Sequence, residues 1–191
     1  DRIPDPISRA ADGHLLGSGG GAASRRRYLV VENEEVLLQM IAAKRVLRSM
    51  EAGKPNVAAM TQAVSDVLTT ADTMLIAPSN PWLSVAPILA VPGIREAIVA
   101  RDVPRVAISP IIVGQAVKGP AAKLMMELGY TPSASAVAEY YGEVINGYVY
   151  DERDAGLTFP SLRSAAMNTW MQSEADRVTF ARQVLAWIEG T

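Results

Sequence analysis

Apolar residues along the chain alternate between short runs and longer segments with helical spacing. The short runs predict strands, because they are β-branched or aromatic and are bounded by turn residues. They are YLVV at 28–31, TMLIAP at 73–78, RVAISP at 105–110 and GYVYD at 147–151. The longer segments predict helices at 35–50, 58–71, 83–100 with a break at Pro92-Gly93, 119–129, 135–145 and 173–189. This alternation predicts an α/β domain, a mostly parallel sheet with helices on both faces.

The first 27 residues show neither the apolar runs of a strand nor the apolar spacing of a helix. They are expected to form a mobile or atypical segment ahead of a domain at 28–191. The cluster GSGGGAAS within them has the composition of a phosphate loop, but such a loop needs a buried strand before it and a helix after it. A linker is the favoured interpretation. The RRR run at 25–27 is likewise interpreted as a solvated patch.

Composition limits the kinds of partner and metal site that the chain is expected to have. The 191 residues include 18 Lys and Arg against 20 Asp and Glu, a balance that does not favour nucleic acid as a partner. Cysteine is absent and His14 is the single histidine, so a bound metal would be a hard cation held by oxygen atoms. No apolar run reaches the roughly 18 residues needed to span a membrane, and we expect a cytoplasmic protein.

Ligands of open parallel sheets bind beyond the carboxyl ends of the strands, and three such exits carry suitable residues. At the first, Pro78, Ser79, Asn80 and Pro81 follow a predicted strand, with Ser84 further on. Hydroxyl and amide donors before a helix start can bind an anion. The alternative is an ordinary turn with Asn80 or Ser84 as helix cap. The spacing alone leaves both open.

The second exit begins at Ser109 and runs to residue 123. Gly114 and Gly119 permit close approach of the backbone to a ligand, and Lys118 and Lys123 supply positive charge. Two solvated lysines beside an ordinary turn are the alternative, and the residues alone favour it.

The third exit is DERD at 151–154. Asp151 and Asp154 are candidate ligands for magnesium, although a charged turn closed by Gly156 is the commoner arrangement. The chain carries neither a nucleophile elbow nor a Walker A sequence, and His14 is too isolated to suggest a catalytic triad.

Three segments together resemble the 2-phospho-L-lactate transferase family of deazaflavin coenzyme F-420 biosynthesis. They are APSNPWLSVAPILAVPGIREAI at 77–98, VAISPIIVGQAVKGPAAKLMMELGYTPSASAVAEYY at 106–141 and YVYDERDA at 148–155. A weaker likeness extends the match to about residues 53–191, beginning at Gly53-Lys54-Pro55. The order and spacing of the SNP and KGPAAK stretches carry the resemblance, and they favour ligand binding at the first two exits.

The resemblance implies a Rossmann-like enzyme with magnesium as its cofactor. Such an enzyme takes guanylyl-activated 2-phospholactate or phosphoenolpyruvate, transfers the phosphorylated acid to the deazaflavin Fo and releases GMP. Expected partners are the activated donor, Fo and, as an option, a second copy of the chain, with neither nucleic acid nor membrane. The substrate-binding residues implied are Ser79, Asn80, Pro81, Ser84, Ser109, Gly114, Lys118 and Gly119.

The chain also departs from the family pattern. It has no Gly-Gly-Thr-Gly loop, and residues 1–50 show no recognisable likeness, so the chain is expected to carry the C-terminal portion of the fold without the nucleotide-loop half. The alternatives are an inactive fragment or a non-catalytic relative that binds nucleotide sugars. Those regulatory relatives have Pro-Gly-Ser where this chain has Ser79-Asn80-Pro81, which favours the transferase.

Overall fold

A five-stranded parallel sheet forms the centre of the structure, a computed structural model that describes residues 28–31, 60 and 62–190. Its strands stand in the order β1, β2, β3, β6, β7, with every neighbouring pair parallel. They span Tyr28–Val31 (β1), Thr73–Ile76 (β2), Arg105–Ile108 (β3), Gly147–Asp151 (β6) and Arg163–Met167 (β7). Ile111–Ile112 (β4) and Gln115–Ala116 (β5) form a separate two-stranded antiparallel hairpin.

The strand order follows the chain order, so each strand of the sheet adds on the same side as the one before. Right-handed crossovers then bring the connecting helices to one face of the sheet. These helices are Gln62–Thr70 (α1), Ala86–Leu89 (α2), Ile94–Val99 (α3), Ala121–Glu127 (α4) and Ala134–Tyr141 (α5). The last helix, Glu174–Glu189 (α6), follows β7 and covers the opposite face.

Alternate residues of the strands divide the core between the two faces. Ala107 and Tyr148 pack with α5 on one side. Val106, Ile108 and Val149 pack on the other, against the apolar side of α6. Burial on both faces explains why GYVYD reads as a continuous apolar run rather than an alternating one.

The α/β prediction is confirmed, and the four predicted strands are present with shorter C-terminal ends for two of them. Residues 81–99 form a π-helical turn at Pro81–Val85 followed by α2 and α3. Gly93 separates α2 from α3 with a φ of 88°. The hairpin and strand β7 were not predicted.

Several predictions fall outside the described residues. These are the mobile segment at 1–27, the helix at 35–50 and the Gly53-Lys54-Pro55 element. Within the described ranges, no helix combines the length and apolar character that crossing a bilayer requires.

Candidate functional site

Asn80 begins the helical turn at the first exit. Its side-chain Oδ1 accepts hydrogen bonds from the backbone N–H groups of Trp82 at 3.0 Å and Leu83 at 3.1 Å. Pro81 suits the first position of the turn because its missing N–H has no partner to lose there. The other end of the amide differs, since Asn80 Nδ2 is buried and has no hydrogen-bond partner. Asn80 is therefore a cap, as the alternative interpretation predicted, with a donor group left over.

The two serines at this exit lie in different surroundings. Ser79 is 4% exposed, and its N–H donates to the carbonyl of Ala77 at 2.6 Å. Ser84 is half-buried inside the π-helical turn, and its N–H donates to the carbonyl of Asn80 at 2.9 Å. Pro81, between them in the chain, is buried. Ser84 and the Asn80 amide thus lie on the same short turn.

Ser109 has a local structural role at the second exit. Its hydroxyl donates to the carbonyl of Ile111 at 3.0 Å and accepts from the N–H of the same residue at 3.2 Å. The side chain is 2% exposed. These bonds stabilise the turn of the chain between β3 and β4. Ser109 therefore stabilises the loop as a buried residue.

Val113 and Gly114 form the tip of the β4–β5 hairpin, and both have positive φ, at 47° and 72°. Positive φ at both central residues is the type I′ pattern that matches the twist of a hairpin. Gly114 adopts it without strain, and a Cβ there would lie 3.4 Å from the carbonyl oxygen of Pro132. Val113 does so against its steric preference.

Lys118 and Gly119 lie on the exposed stretch between β5 and α4. Gly119 has a φ of 71° and open space where a Cβ would stand, so its backbone is accessible. Lys123 lies in the first turn of α4 and pairs with Glu127 at 3.8 Å, both on the surface. Of the two predicted lysines, Lys118 is therefore the one in the loop, and Lys123 belongs to an exposed helical ion pair.

Asp151 is fully buried at the end of β6 and has no exposed surface. Its Oδ2 accepts from the N–H and the hydroxyl of Thr169, both at 2.9 Å. Its Oδ1 accepts from the N–H of Arg153 at 3.0 Å and from the Arg153 guanidinium at 3.4 Å. A carboxylate has about four acceptor positions, so these four bonds occupy Asp151 fully.

The second aspartate of this turn points elsewhere. Asp154 Oδ2 accepts from the N–H of Val113 at 3.0 Å, across the gap between the third and second exits. The two aspartates therefore do not form a pair of metal ligands. Within residues 62–190 and the other described positions, no cluster of three or more His, Cys, Asp or Glu side chains is present.

One core cluster supports all three exits. It contains Val85 from the first, Ile111 from the second and, at its edge, Leu157 from the segment after the third. The hydroxyl of Tyr150 on β6 donates to the Leu157 carbonyl at 3.2 Å. The sheet thus brings the three predicted exits to one edge over a shared apolar base.

Aromatic and phenolic side chains complete this base. Trp82 packs between Tyr130 and Tyr140, with ring centroids 5.5 and 4.7 Å away. These contacts give Trp82 a packing role. Burial raises the pKa values of the Tyr141 and Tyr148 hydroxyls, and the Tyr148 hydroxyl donates to the Ala134 carbonyl at 2.8 Å.

A groove of 420 Å³ is lined by Arg153 of the 152–154 turn and by residues that follow β7. The Arg153 guanidinium lies 4.7 Å above the exposed Trp170 ring at its wall, and the amides of Gln172 and Gln183 also line it. The short helical turn Glu152–Asp154 therefore contributes Arg153 to this groove and Asp154 to a contact with the hairpin.

The parallel sheet, with its candidate ligand-binding loops at the carboxyl ends of the strands, defines a Rossmann-like α/β domain. Residues 23–185 match the family model described as 2-phospho-L-lactate transferase CofD, and the chain belongs to that family. The match begins earlier than residue 53, where the visible resemblance started.

Three relatives show the range of similarity. A 2-phospho-L-lactate transferase of Methanopyrus kandleri is 40% identical over 127 residues, covering 65% of this chain and 40% of that protein. One of Methanosarcina acetivorans is 43% identical over 102 residues, covering 53% and 33%. A phosphoenolpyruvate transferase of Streptomyces griseus is 37% identical over 131 residues, covering 66% and 41%. The chain spans less than half the length of these relatives.

Proposed function

We propose that this chain belongs to a transferase that moves a 2-phospholactyl or phosphoenolpyruvyl group from a guanylyl-activated donor to the deazaflavin Fo and releases GMP. Family membership supports the class of reaction. The observation that carries the proposal is the buried, unpartnered Nδ2 of Asn80 at the carboxyl edge of β2. A donor without a partner is unfavourable in a folded protein, and a ligand phosphate would satisfy it.

The proposed reaction requires charge neutralisation and alignment more than a protein nucleophile. The ribityl hydroxyl of Fo forms a bond to the phosphorus of the phosphorylated acid. The bond from that phosphorus to the bridging oxygen breaks, GMP leaves with the electron pair, and the hydroxyl proton passes to solvent. The Asn80 amide, the backbone at Gly119 and the Lys118 ammonium are suited to binding the donor phosphates.

Magnesium stays a prediction from the family resemblance. When bound, it would neutralise phosphate charge. Of the two candidate aspartates, Asp151 does not fit the role of a metal ligand because four hydrogen bonds occupy its oxygens, and Asp154 uses its Oδ2 to accept from the Val113 N–H. No step above depends on a metal ligand from these residues.

The sharpest test of the phosphate contact separates the two ends of Asn80. Asn80→Asp keeps the oxygen that caps Trp82 and Leu83 but replaces the Nδ2 donor with a negative charge, so the fold should be retained while donor binding falls at least tenfold. Asn80→Ala removes both and should also lower stability. Binding of GMP by calorimetry and GMP release with donor and Fo are the measurements. Unchanged GMP affinity in Asn80→Asp would remove Asn80 from the site.

Lys118 provides a second, electrostatic test. Lys118→Ala should weaken GMP binding and make the remaining affinity less dependent on salt, because an attractive charge pair is lost. Lys123→Ala is the matched control, since that lysine pairs with Glu127 on the surface of α4. Equal salt dependence in the two variants would return Lys118 to a solvated surface role.

The same experiments distinguish the alternative function. A regulatory relative would bind a nucleotide sugar without releasing GMP from an activated acid in the presence of Fo. The cytoplasmic location and a homodimer are parts of the proposal, and size-exclusion chromatography measures the latter.

A further inference from the structure

Val113 is held in a conformation that its side chain disfavours. Its φ of 47° lies in the left-handed region, where a β-branched residue is crowded by its own Cβ substituents. The side chain is 59% exposed, so packing of the side chain does not account for the conformation. A backbone contact must contribute instead.

That contact comes from Asp154, whose Oδ2 accepts the Val113 N–H at 3.0 Å. The turn carrying Asp154 is itself fixed, because Asp151 caps it through the N–H of Arg153. Asp151 in turn accepts two hydrogen bonds from Thr169, beyond β7. Hydrogen bonds at both ends of the 151–154 turn therefore connect the segment after β7 with the tip of the hairpin.

We propose that Asp154 is a positioning residue that holds the Val113–Gly114 turn and, through it, keeps the 109–120 loop in its anion-binding conformation. This inference rests on the proposed function, because the loop supplies Lys118 and Gly119 to the donor phosphates. The sign of the charge supports positioning over direct binding, since a carboxylate repels an anionic ligand.

The charge also makes the test decisive. Removing a carboxylate near an anion site should, on charge alone, strengthen GMP binding. We expect the opposite for Asp154→Ala in the full chain, about tenfold weaker binding by calorimetry, the scale of one hydrogen bond to a charged acceptor. Asp154→Asn keeps a carbonyl acceptor for the Val113 N–H and loses the charge, so it should bind GMP at least as tightly as the unmodified protein. Glu127→Ala, which removes another acidic side chain from an exposed ion pair, is the control.

A second substitution tests the strain itself. Val113→Gly removes the steric penalty and creates a Gly-Gly turn, a favoured sequence for type I′ hairpins. The turn should then keep its shape without the carboxylate. We expect Val113→Gly combined with Asp154→Ala to recover most of the lost GMP affinity. Failure of this rescue would overturn the positioning role.

Amide hydrogen exchange provides a readout that needs no ligand. Asp154→Ala should accelerate exchange at Val113 and through residues 114–119, and Val113→Gly should reverse the acceleration at 114–119. If Asp154→Ala leaves the amide exchange rates of residues 113–119 unchanged, the positioning role of Asp154 is overturned, but the proposed GMP-binding function is not affected. Failure of the unmodified chain to bind GMP would instead count against the proposed function, with the exchange rates still deciding whether Asp154 holds the turn.

Discussion

Replacing Asp151 with Asn tests whether this carboxylate is a structural anchor or a metal ligand. The substitution preserves shape but turns one acceptor oxygen into a donor NH₂ group. If the amide oxygen faces the two Thr169 donors, the NH₂ faces the N–H and guanidinium of Arg153, and the reverse orientation places it against Thr169. Either orientation sets donor against donor in a buried site.

The expected loss follows from the number of affected bonds. Each buried group left without a partner costs about 1–3 kcal/mol. Asp151→Asn leaves one or two such groups, so we expect it to lower the free energy of unfolding by about 2–4 kcal/mol. Thr169→Val removes only the hydroxyl bond, and about 1 kcal/mol is expected. Glu152→Gln is the control, since the neighbouring Glu152 is exposed.

Urea unfolding followed by circular dichroism in buffer containing a chelator measures the difference. The chelator matters because a metal ligand would have no stabilising role without its metal. If Asp151→Asn remains within about 0.5 kcal/mol of the unmodified protein, the range of ordinary surface substitutions, the structural assignment is refuted.

Three further predictions concern stability. Tyr141→Phe should raise the free energy of unfolding by up to about 1 kcal/mol, because the buried Tyr141 hydroxyl has no partner. Gly147→Ala should lower it by about 1–3 kcal/mol, since the new Cβ would lie 2.8 Å from Val106 Cγ2. The Ser173 N–H above all, and also the Gln172 N–H, donate hydrogen bonds to the Asp176 carboxylate and lower its pKa from the ordinary value of 3.8. Its stabilising contribution should be complete above that pH and lost as pH falls through the folded-state pKa.

Each of these has a direct check. Urea titrations measure the first two, and a loss in Tyr141→Phe or no change in Gly147→Ala would contradict the packing described. An NMR titration of the Asp176 carboxyl measures the third. Asp176→Asn should remove that carboxyl's contribution to acid destabilisation, and an ordinary pKa for Asp176 would show that the cap bonds do not persist in solution.

The sequence predicted the buried strands because their residues identify them without reference to the rest of the chain. GYVYD is apolar on both faces, and its predicted bounds are those of β6. Strand β7, RSAAM, was missed because it is an edge strand made of small and polar residues with mixed exposure. The hairpin was missed because two-residue strands carry too little pattern to detect.

The sequence predicted the loops that follow β2, β3 and β6 but not the hydrogen bonds within and between them. Asn80 was identified as a cap or a donor, and the structure shows a cap with an unpartnered donor end. Asp151 was interpreted as part of a charged turn or a metal site, because its partner Thr169 lies 18 residues away, just after a strand that the sequence did not reveal. The contact between Asp154 and Val113 spans 41 residues and has no local sequence signal.

The agreement between strand order and chain order has a consequence for biosynthesis. Each strand that leaves the ribosome finds its partner already exposed as the growing edge of the sheet, so the sheet can assemble vectorially from β1 to β7. The loops after β2 and β3 emerge before the residue that secures them. Asp151 receives its Thr169 donors only after β7 has been synthesised and docked. A nascent chain that stops before residue 163 therefore contains the sequence of every candidate loop but lacks the last contact that fixes their geometry.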